Sequence, residues 1–204
     1  MKKQYILSLL LFMYSFTAYT QDIFINADFV SSYMWRGMKC GNAAVQPTLG
    51  TTMGGFTLSA WSSTEFRNEN NEIDLTLDYF NYAAHSSGHT FEAGAGYTIS
   101  EKFPLTASWY TVFAGNDYRE DGKRAWSSYC EFSYPFSLKG FDLSVEAGFT
   151  PWEGEYADKF NVNNIALSIS REIQVSNRFS FPIFGKLGFN PYESTAYFVF
   201  GISL

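Results

Sequence analysis

Apolar and polar residues alternate with a period of two along most of the chain beyond residue 20. The segment 196–204 shows this alternation most simply, because its two sets of positions differ in size and polarity. One face carries only apolar residues, namely Ala196, Phe198, Phe200, Ile202 and Leu204. The other face carries Tyr197, Val199, Gly201 and Ser203. Since neighbouring side chains of a β-strand point to opposite faces, the segment predicts a strand between two different environments.

About eleven segments of this kind follow one another, separated by turn residues, and none has the period of an amphipathic helix. Clear examples are 73–80, 91–99 and 141–149. The series predicts an all-β fold, an antiparallel up-and-down barrel. An even number of strands is needed if both termini lie at the same end, so we expect about twelve strands, with ten as the alternative. The strand order is least defined by the sequence between Asp74 and Pro104.

The composition of the two faces predicts what surrounds the strands. The polar face carries Gly, Ser, Thr, Ala and Asn with isolated carboxylates, rather than the long Lys and Glu side chains expected in bulk water. This composition indicates a narrow, partly wet interior. The apolar face continues from strand to strand with almost no charge, and no segment predicts a helix that could cover it. Lipid is the simplest cover, so the pattern predicts a transmembrane barrel.

Aromatic residues make up 20% of the chain and include 21 Phe and 14 Tyr. Transmembrane barrels carry belts of aromatic side chains at both membrane interfaces, which accounts for such a content. We expect the tryptophans to be belt residues, with a sugar-stacking platform as the alternative. They are Trp35, Trp61, Trp109, Trp126 and Trp152.

The N-terminal segment has the pattern of a signal peptide. Two lysines precede a mostly apolar run from Tyr5 to Ala18, and Ala18-Tyr19-Thr20 forms a small-x-small cleavage pattern. We therefore expect residues 1–20 to direct export and residues 21–204 to form one barrel domain in the cell outer membrane.

Charge and cysteine content exclude two further classes. The formal net charge of −6 argues against binding to nucleic acid, whose phosphates attract basic proteins. Cys40 and Cys130 are too few to form the disulfide framework of a small secreted protein.

The connections between the predicted strands fall into two length classes. The short connections are 54–55, 137–140 and 175–178, and the longer polar ones are 65–72, 115–124 and 151–161. Short turns at one end and long loops at the other are typical of outer-membrane barrels. The last strand is expected to pair with the first and so leave no free edge. That strand resembles the C-terminal signal read by the outer-membrane assembly machinery, with Leu204 in place of the usual Phe. Membrane lipid and this machinery are therefore the expected partners.

The stretch "SSYMWRGMKCGNAAVQPTLG" contains a Ser-x-Tyr-hydrophobic-aromatic-Arg-Gly segment followed by Gln-Pro and Gly. These residues resemble the TorF-type porin family of Gram-negative bacteria. The matching positions are Ser32, Tyr33, Trp35, Arg36, Gly37, Gln46 and Pro47. The stretches "EIDLTLDY", "SSYCEFSYPF", "AGFTPWEGEY" and "AYFVFGISL" are similar to the same group, so the resemblance covers most of the barrel domain. It implies an outer-membrane barrel with a porin assignment and no particular substrate.

Strand parity predicts which charged side chains face the interior. In the first strand it puts Asn26, Asp28, Ser32 and Arg36 on the interior face, opposite Ala27, Phe29, Ser31, Tyr33 and Trp35. Across the whole chain the predicted interior charges are Asp28, Arg36, Asp74, Asp78, Glu92, Glu131, Asp142, Glu146 and Lys186. These residues predict a net acidic passage that favours small polar or cationic solutes, with Arg36 shaping a constriction. The alternative is an internal salt-bridge network that fills a small barrel and closes it.

The histidines give little reason to expect catalysis. His85 and His89 lie in "HSSGH", where Ser86 or Ser87 would be the nucleophile of a hydrolase, but a turn does not supply the third group that orients the base. Zinc is equally disfavoured by two histidines and two dispersed cysteines. We expect no enzyme activity, no cofactor and no metal. The alternatives to a porin-like barrel are a closed structural or surface-binding barrel, a membrane-embedded barrel enzyme and a soluble lipocalin-like binder.

Overall fold

The computed structural model describes residues 21–53, 56–67, 71–77, 80–85 and 88–204. The predicted signal peptide, residues 1–20, lies outside these ranges, as do Asp78, Ser86 and Ser87. Within the described ranges the regular structure is entirely β. No helix in this part of the chain is long and apolar enough to cross a membrane.

Fourteen strands are formed by the described residues. Their bounds are β1 (Gln21–Val30), β2 (Tyr33–Trp35), β3 (Met38–Gly41), β4 (Ala44–Met53), β5 (Phe56–Glu65), β6 (Asn71–Leu77), β7 (Phe80–His85), β8 (Gly88–Thr98), β9 (Thr106–Gly115), β10 (Ser128–Leu138), β11 (Phe141–Thr150), β12 (Asn161–Ser176), β13 (Phe179–Asn190) and β14 (Thr195–Ser203).

Twelve of these strands form one closed antiparallel barrel, and β2 and β3 form a separate two-stranded sheet. Each barrel strand pairs with its neighbour along the chain, and β1 pairs with both β4 and β14. The prediction of an all-β antiparallel barrel of about twelve strands is confirmed. Closure matters energetically, because it leaves no row of unpaired backbone groups at a sheet edge.

The twelfth strand comes from the region where the sequence left the order open. Residues 73–80 form no single strand, because β6 ends at Leu77 and β7 begins at Phe80, which is the pairing partner of Leu77. If 73–80 were one strand, Phe80 would have the parity of Asp74 and would lie on the polar face. It lies instead on the outside of the barrel with its ring largely exposed, because it pairs directly with Leu77 and therefore shares the outer face with that residue.

Large apolar side chains cover the outside of the barrel. In β14, Phe198 and Phe200 are 61% and 59% exposed, whereas Val199 between them is 6% exposed. The same contrast is found in β13, where Leu187 is exposed and Gly188 is buried. A soluble monomer rarely exposes a contiguous apolar surface of this kind, so the exterior needs an apolar cover.

The connections define two different ends of the barrel. At one, which we call the loop end, the fully described connections are 31–43, 116–127, 151–160 and 191–194. At the other, the turn end, they are 99–105, 139–140 and 177–178. Lys139 and Gly140 have φ values of 52° and 79°, as a two-residue type I′ hairpin turn requires. This arrangement positions the first long connection, residues 31–43, at the mouth of the barrel.

Candidate functional site

Residues 31–43 fold inwards and occupy the interior of the barrel; we call this segment the inner hairpin. Its two short strands pair through Tyr33 with Gly41 and Trp35 with Met38. At its base, the Ser32 hydroxyl donates a hydrogen bond to the Gly41 carbonyl at 2.9 Å. The hairpin therefore hangs from the loop ends of β1 and β4 into the interior.

Two anchors at the base hold the inner hairpin to the barrel wall. The Asn42 amide donates to Glu65 Oε1 at 2.7 Å, which ties the hairpin to β5. Met34 packs against an apolar cluster of Val30, Ala44 and Val199 on the inner face of the wall. One anchor is polar and the other apolar, so the hairpin has a defined path into the barrel.

The tip of the inner hairpin is the pair Arg36-Gly37, with φ values of 50° and 83°. A Cβ on Gly37 would lie 2.1 Å from the Asn163 carbonyl oxygen, so only glycine fits against β12 here. The Asn190 side chain donates to the Gly37 carbonyl at 3.3 Å. A left-handed conformation at a non-glycine residue such as Arg36 costs about 1–3 kcal/mol, and surrounding contacts must compensate for it.

A bidentate ion pair supplies much of that compensation. Arg36 Nη1 and Nη2 donate to Glu92 Oε2 and Oε1 of β8 at 2.6 and 2.8 Å. The two side chains are only 5% and 13% exposed. Paired fork-to-fork contacts are the strong form of this interaction, and a guanidinium keeps its charge even when buried. Arg36 thus fixes the hairpin tip to the opposite wall.

Four aromatic rings surround the same guanidinium. The Arg36 Cζ atom lies 4.5–5.3 Å from the ring centroids of Trp35, Tyr110, Tyr129 and Tyr156. Arg36 also donates a hydrogen bond to the Tyr156 hydroxyl. Cations attract aromatic faces most strongly where water is excluded. Together these contacts join the hairpin to β8, β9, β10 and the 151–160 loop, and we call them the arginine clamp.

The interior that remains forms cavities above and below the hairpin. Towards the loop end, a cavity of about 260 Å³ is lined by residues that include Cys40, Glu65 and Glu155. Two larger cavities of about 650 and 750 Å³ reach the middle and the turn end of the barrel. Tyr33 and Trp35 line all three, so the hairpin is the element that narrows the interior.

The structure puts the described residues of the predicted interior set on the walls of these cavities. They are Asp28, Arg36, Asp74, Glu92, Glu131, Asp142, Glu146 and Lys186. Asp78, the ninth member, lies outside the described residues. These eight residues surround one interior, although they come from seven different segments of the chain.

A second ion pair lies nearer the turn end. Lys186 Nζ lies 2.5 Å from Glu146 Oε2, and the Ser168 hydroxyl donates to Glu146 Oε1 at 3.1 Å. The Tyr129 hydroxyl donates to Glu131 Oε2 at 2.9 Å. Arg36 and Lys186, the two cations of the predicted interior set, therefore each have a carboxylate partner, and the salt-bridge network expected as an alternative is present in part.

The predicted positions of Tyr33, Trp35 and Trp61 were wrong. Parity counted from β1 put Tyr33 and Trp35 on the outer face, but β1 ends at Val30 and the inner hairpin starts a new alternation. Trp61 was expected in an interfacial belt and faces inwards, with its ring 5.4 Å from that of Tyr33.

The remaining tryptophans lie near the loop end, on or close to the outer surface. Trp109 on the outer face of β9 contacts Trp152 at a ring distance of 5.7 Å. Trp152 donates from Nε1 to the Trp126 carbonyl at 2.9 Å. The positions of Trp109, Trp126 and Trp152 are consistent with the predicted aromatic belt at a membrane interface.

The tyrosines of the arginine clamp were not found from the sequence. Tyr110 and Tyr129 occupy inward positions of β9 and β10, so parity alone could have identified them as interior rings. Tyr156 lies in a loop, where alternation gives no signal. Its burial raises the pKa of its hydroxyl above the ordinary value, despite the nearby Arg36 charge, which lowers it.

The described residues around the two histidines form no catalytic arrangement. His89 lies on the outer face of β8, where its Nδ1 is 2.7 Å from the Tyr82 hydroxyl and the two rings stack. Among the described residues, no group of three or more His, Cys, Asp or Glu side chains is arranged to hold a metal ion. The absence of enzyme activity stays a prediction.

A closed twelve-stranded antiparallel barrel with an apolar exterior fits the class of outer-membrane barrels in general. Comparison of the chain with protein-family models, curated proteins and solved structures found no match. The resemblance to TorF-type porins therefore stays a prediction.

Proposed function

We propose that the protein is an outer-membrane porin-like barrel that gives small polar or cationic solutes passive passage through a narrow acidic interior. The observation that carries the proposal is the inner hairpin, fixed by the arginine clamp inside a closed barrel. A segment held in this way narrows the interior without any need for bulky side chains from the wall. It is the part of the molecule that would set the size of what passes.

The exterior supports the membrane location. Its exposed rings and aliphatic side chains would be costly to hydrate, at about 25 cal/mol for each Å² of apolar surface. Lipid removes this cost, and closure of the barrel satisfies the backbone groups that lipid cannot. Export to the outer membrane also agrees with the signal peptide expected in residues 1–20.

The charges of the interior support a preference for cations. Nine carboxylates and two cationic side chains line the three cavities described above. Arg36 and Lys186 each pair with one carboxylate, so the excess charge of the walls is negative. The low dielectric constant of the surrounding protein focuses this field along the passage, where it attracts cations and repels anions.

A closed barrel is the second candidate, and the arginine clamp favours it. A buried ion pair surrounded by four rings does not yield to passing solutes, so a hairpin held at its tip and base could act as a plug. In that case the interior charges serve stability, and the barrel acts as a structural or surface-binding element.

Planar-bilayer recording separates the two candidates. The full chain is expressed in a Gram-negative host, purified from the outer-membrane fraction and reconstituted. Discrete current steps with a cation-selective reversal potential in a KCl gradient are the expected result. Arg36→Met should increase the step size, because it releases the hairpin tip, whereas Asp121→Asn in an exposed loop should not.

Two outcomes would overturn the proposal. Protein with the heat-resistant gel mobility of a folded barrel that leaves the bilayer silent supports the closed barrel. Recovery of the protein in the soluble fraction after detergent-free lysis contradicts the membrane location itself.

A further inference from the structure

The interior cavity of about 750 Å³ contains an aromatic corner that is separate from the arginine clamp. Trp61 on β5 and Tyr33 on the inner hairpin meet with ring centroids 5.4 Å apart and an angle of 57° between their planes. Both rings line the cavity of about 750 Å³. Two tilted rings that face a cavity offer π-surfaces to a solute inside it.

A carboxylate lies beside this corner. Asp74 on β6 is the direct cross-strand partner of Trp61, and both side chains line the same cavity. Directly opposed residues of an antiparallel pair have Cβ atoms about 4.5–5.5 Å apart, close enough to contact one small ligand together. The pairing register of β5 and β6 therefore places the Trp61 indole next to the Asp74 carboxylate.

The carboxylate is also oriented by its neighbours. Asn81 on β7 donates from Nδ2 to Asp74 Oδ2 at 3.3 Å. The Thr76 hydroxyl in turn donates to Asn81 Oδ1 at 2.9 Å. This chain of hydrogen bonds fixes which way the Asn81 amide points, and so keeps Asp74 beside the rings.

We infer that the Tyr33–Trp61–Asp74 corner is a binding subsite for a small organic ammonium ion on the solute path. The inference rests on the proposed function for access to the interior. An ammonium group that carries methyl or methylene groups gains from aromatic faces and from one carboxylate, because it is weakly hydrated. An inorganic cation requires several oxygen ligands, and no such group is arranged among the described acidic, histidine and cysteine side chains.

The test is isothermal titration of the purified barrel in detergent micelles with tetramethylammonium chloride. The matched neutral probe is tert-butanol, which has similar bulk without the charge, and NaCl is the inorganic control. We expect saturable binding of tetramethylammonium with one site per chain. No saturable heat is expected with tert-butanol or with NaCl.

Three variants locate the site. Asp74→Asn removes the charge and keeps the shape, and Trp61→Leu removes one ring; each should weaken binding by about tenfold. Asp121→Asn removes a carboxylate that pairs with Lys123 in an exposed loop and should bind like the wild type. Circular dichroism and heat-modifiable gel mobility establish that each variant is folded.

Three results would overturn the subsite. They are the absence of saturable binding by folded protein, equal binding of tert-butanol, and an Asp121→Asn loss as large as that of Asp74→Asn. Titration does not depend on conduction, so the two proposals fail separately. Binding with a silent bilayer rejects the passage and keeps the subsite, whereas conduction without binding rejects the subsite alone.

Discussion

Arg36 and Glu92 are 56 positions apart in the chain and form a bidentate ion pair across the interior of the barrel. The pair joins the tip of the inner hairpin to β8, whereas the hairpin base is tied to β1, β4 and β5. Fixed at both ends, the hairpin is part of the folded interior rather than a loose loop at the mouth.

Breaking this pair from one side should destabilise the barrel. Arg36→Met leaves Glu92 buried without its partner, and such losses cost about 3–5 kcal/mol. The double variant Arg36→Met with Glu92→Leu removes both charges and should recover most of the loss. Urea unfolding in micelles measures the three free energies of unfolding. A double variant no more stable than Arg36→Met would show that the rings, rather than the charges, hold the tip.

The glycine at the hairpin tip can be tested with a matched control. Gly37 and Gly140 have similar φ values of 83° and 79°, but a Cβ would strike the Asn163 carbonyl at Gly37 and would meet nothing within 4 Å at Gly140. Gly140→Ala should therefore cost only the left-handed strain, about 1–2 kcal/mol. Gly37→Ala adds a clash with rigid backbone and should cost about 2–5 kcal/mol.

The comparison is made by urea unfolding of the two variants under the same conditions. Similar losses of unfolding free energy at both positions would mean that the hairpin tip is not closely packed against β12. A larger loss at Gly37 alone supports the close packing of the hairpin against the wall.

The reactivity of Cys40 should report whether the inner hairpin is docked. Burial, reinforced by the negative charges of Glu72 and Glu155, raises the pKa of the Cys40 thiol to about 12. An unfolded thiol has a pKa of about 8.5. Because the folded pKa is the higher one, this thiol contributes stability below pH of about 8.5 and the contribution is lost as the pH rises towards 12.

Alkylation with iodoacetamide, followed by mass spectrometry in a Cys130→Ala background, measures the reactive thiolate. While the hairpin is docked, the alkylation rate of Cys40 should stay low through pH 9. When Arg36→Met is added, the pH at which this rate rises should move towards the pKa of an unfolded thiol. Equal pH profiles with and without Arg36→Met would argue against release of the hairpin.

The alternation of the sequence predicted the barrel because parity is a local property of each strand. In a strand with one apolar face, the residues themselves show which face points outwards. Phe198 was therefore assigned correctly to the outer face and Val199 to the inner face, without knowledge of the neighbouring strands. Parity cannot be carried through a turn. Between Leu77 and Phe80 the alternation of the sequence continues without a break, so it gave no sign of the strand boundary there. After Val30 the alternation starts afresh, so Tyr33 was assigned to the outer face although it faces the interior.

The candidate site was accessible from the sequence only in part. Arg36 was identified as an element of a constriction, but its partner Glu92 was one of several equivalent interior carboxylates. Pairing across the barrel depends on the register of all the strands between β1 and β8 and on a hairpin that folds inwards. Tyr156 reaches the clamp from a loop, where no periodicity constrains its position.

The charge of the interior should set ion selectivity. Glu131 and Asp142 line different cavities of the passage. The double substitution Glu131→Gln with Asp142→Asn removes two negative charges and should lower the ratio of cation to anion permeability. The measurement is the reversal potential in a KCl gradient.

Asp121→Asn is the control for this charge change, because Asp121 pairs with Lys123 in an exposed loop. The Lys123 hydrogen bonds hold the pKa of Asp121 below its ordinary value, so it is ionised throughout the neutral range. If Asp121→Asn lowers the permeability ratio as much as the interior pair does, the charges of the passage walls do not determine selectivity.

The surface of β14 offers a test of what covers the barrel. Phe198→Lys puts a cation in the apolar band of the exterior, and in a bilayer this costs about 2–4 kcal/mol near the midplane. Thr195→Lys adds the same charge to the exposed loop end of the same strand and should cost little. Urea unfolding of both variants from lipid vesicles gives the two free energies. In a barrel surrounded by water, Phe198→Lys would be as well tolerated as Thr195→Lys, because an exposed lysine is fully hydrated there. A difference of the expected size requires lipid at Phe198, and with it the orientation that leaves Val199 and the carboxylates to enclose the interior.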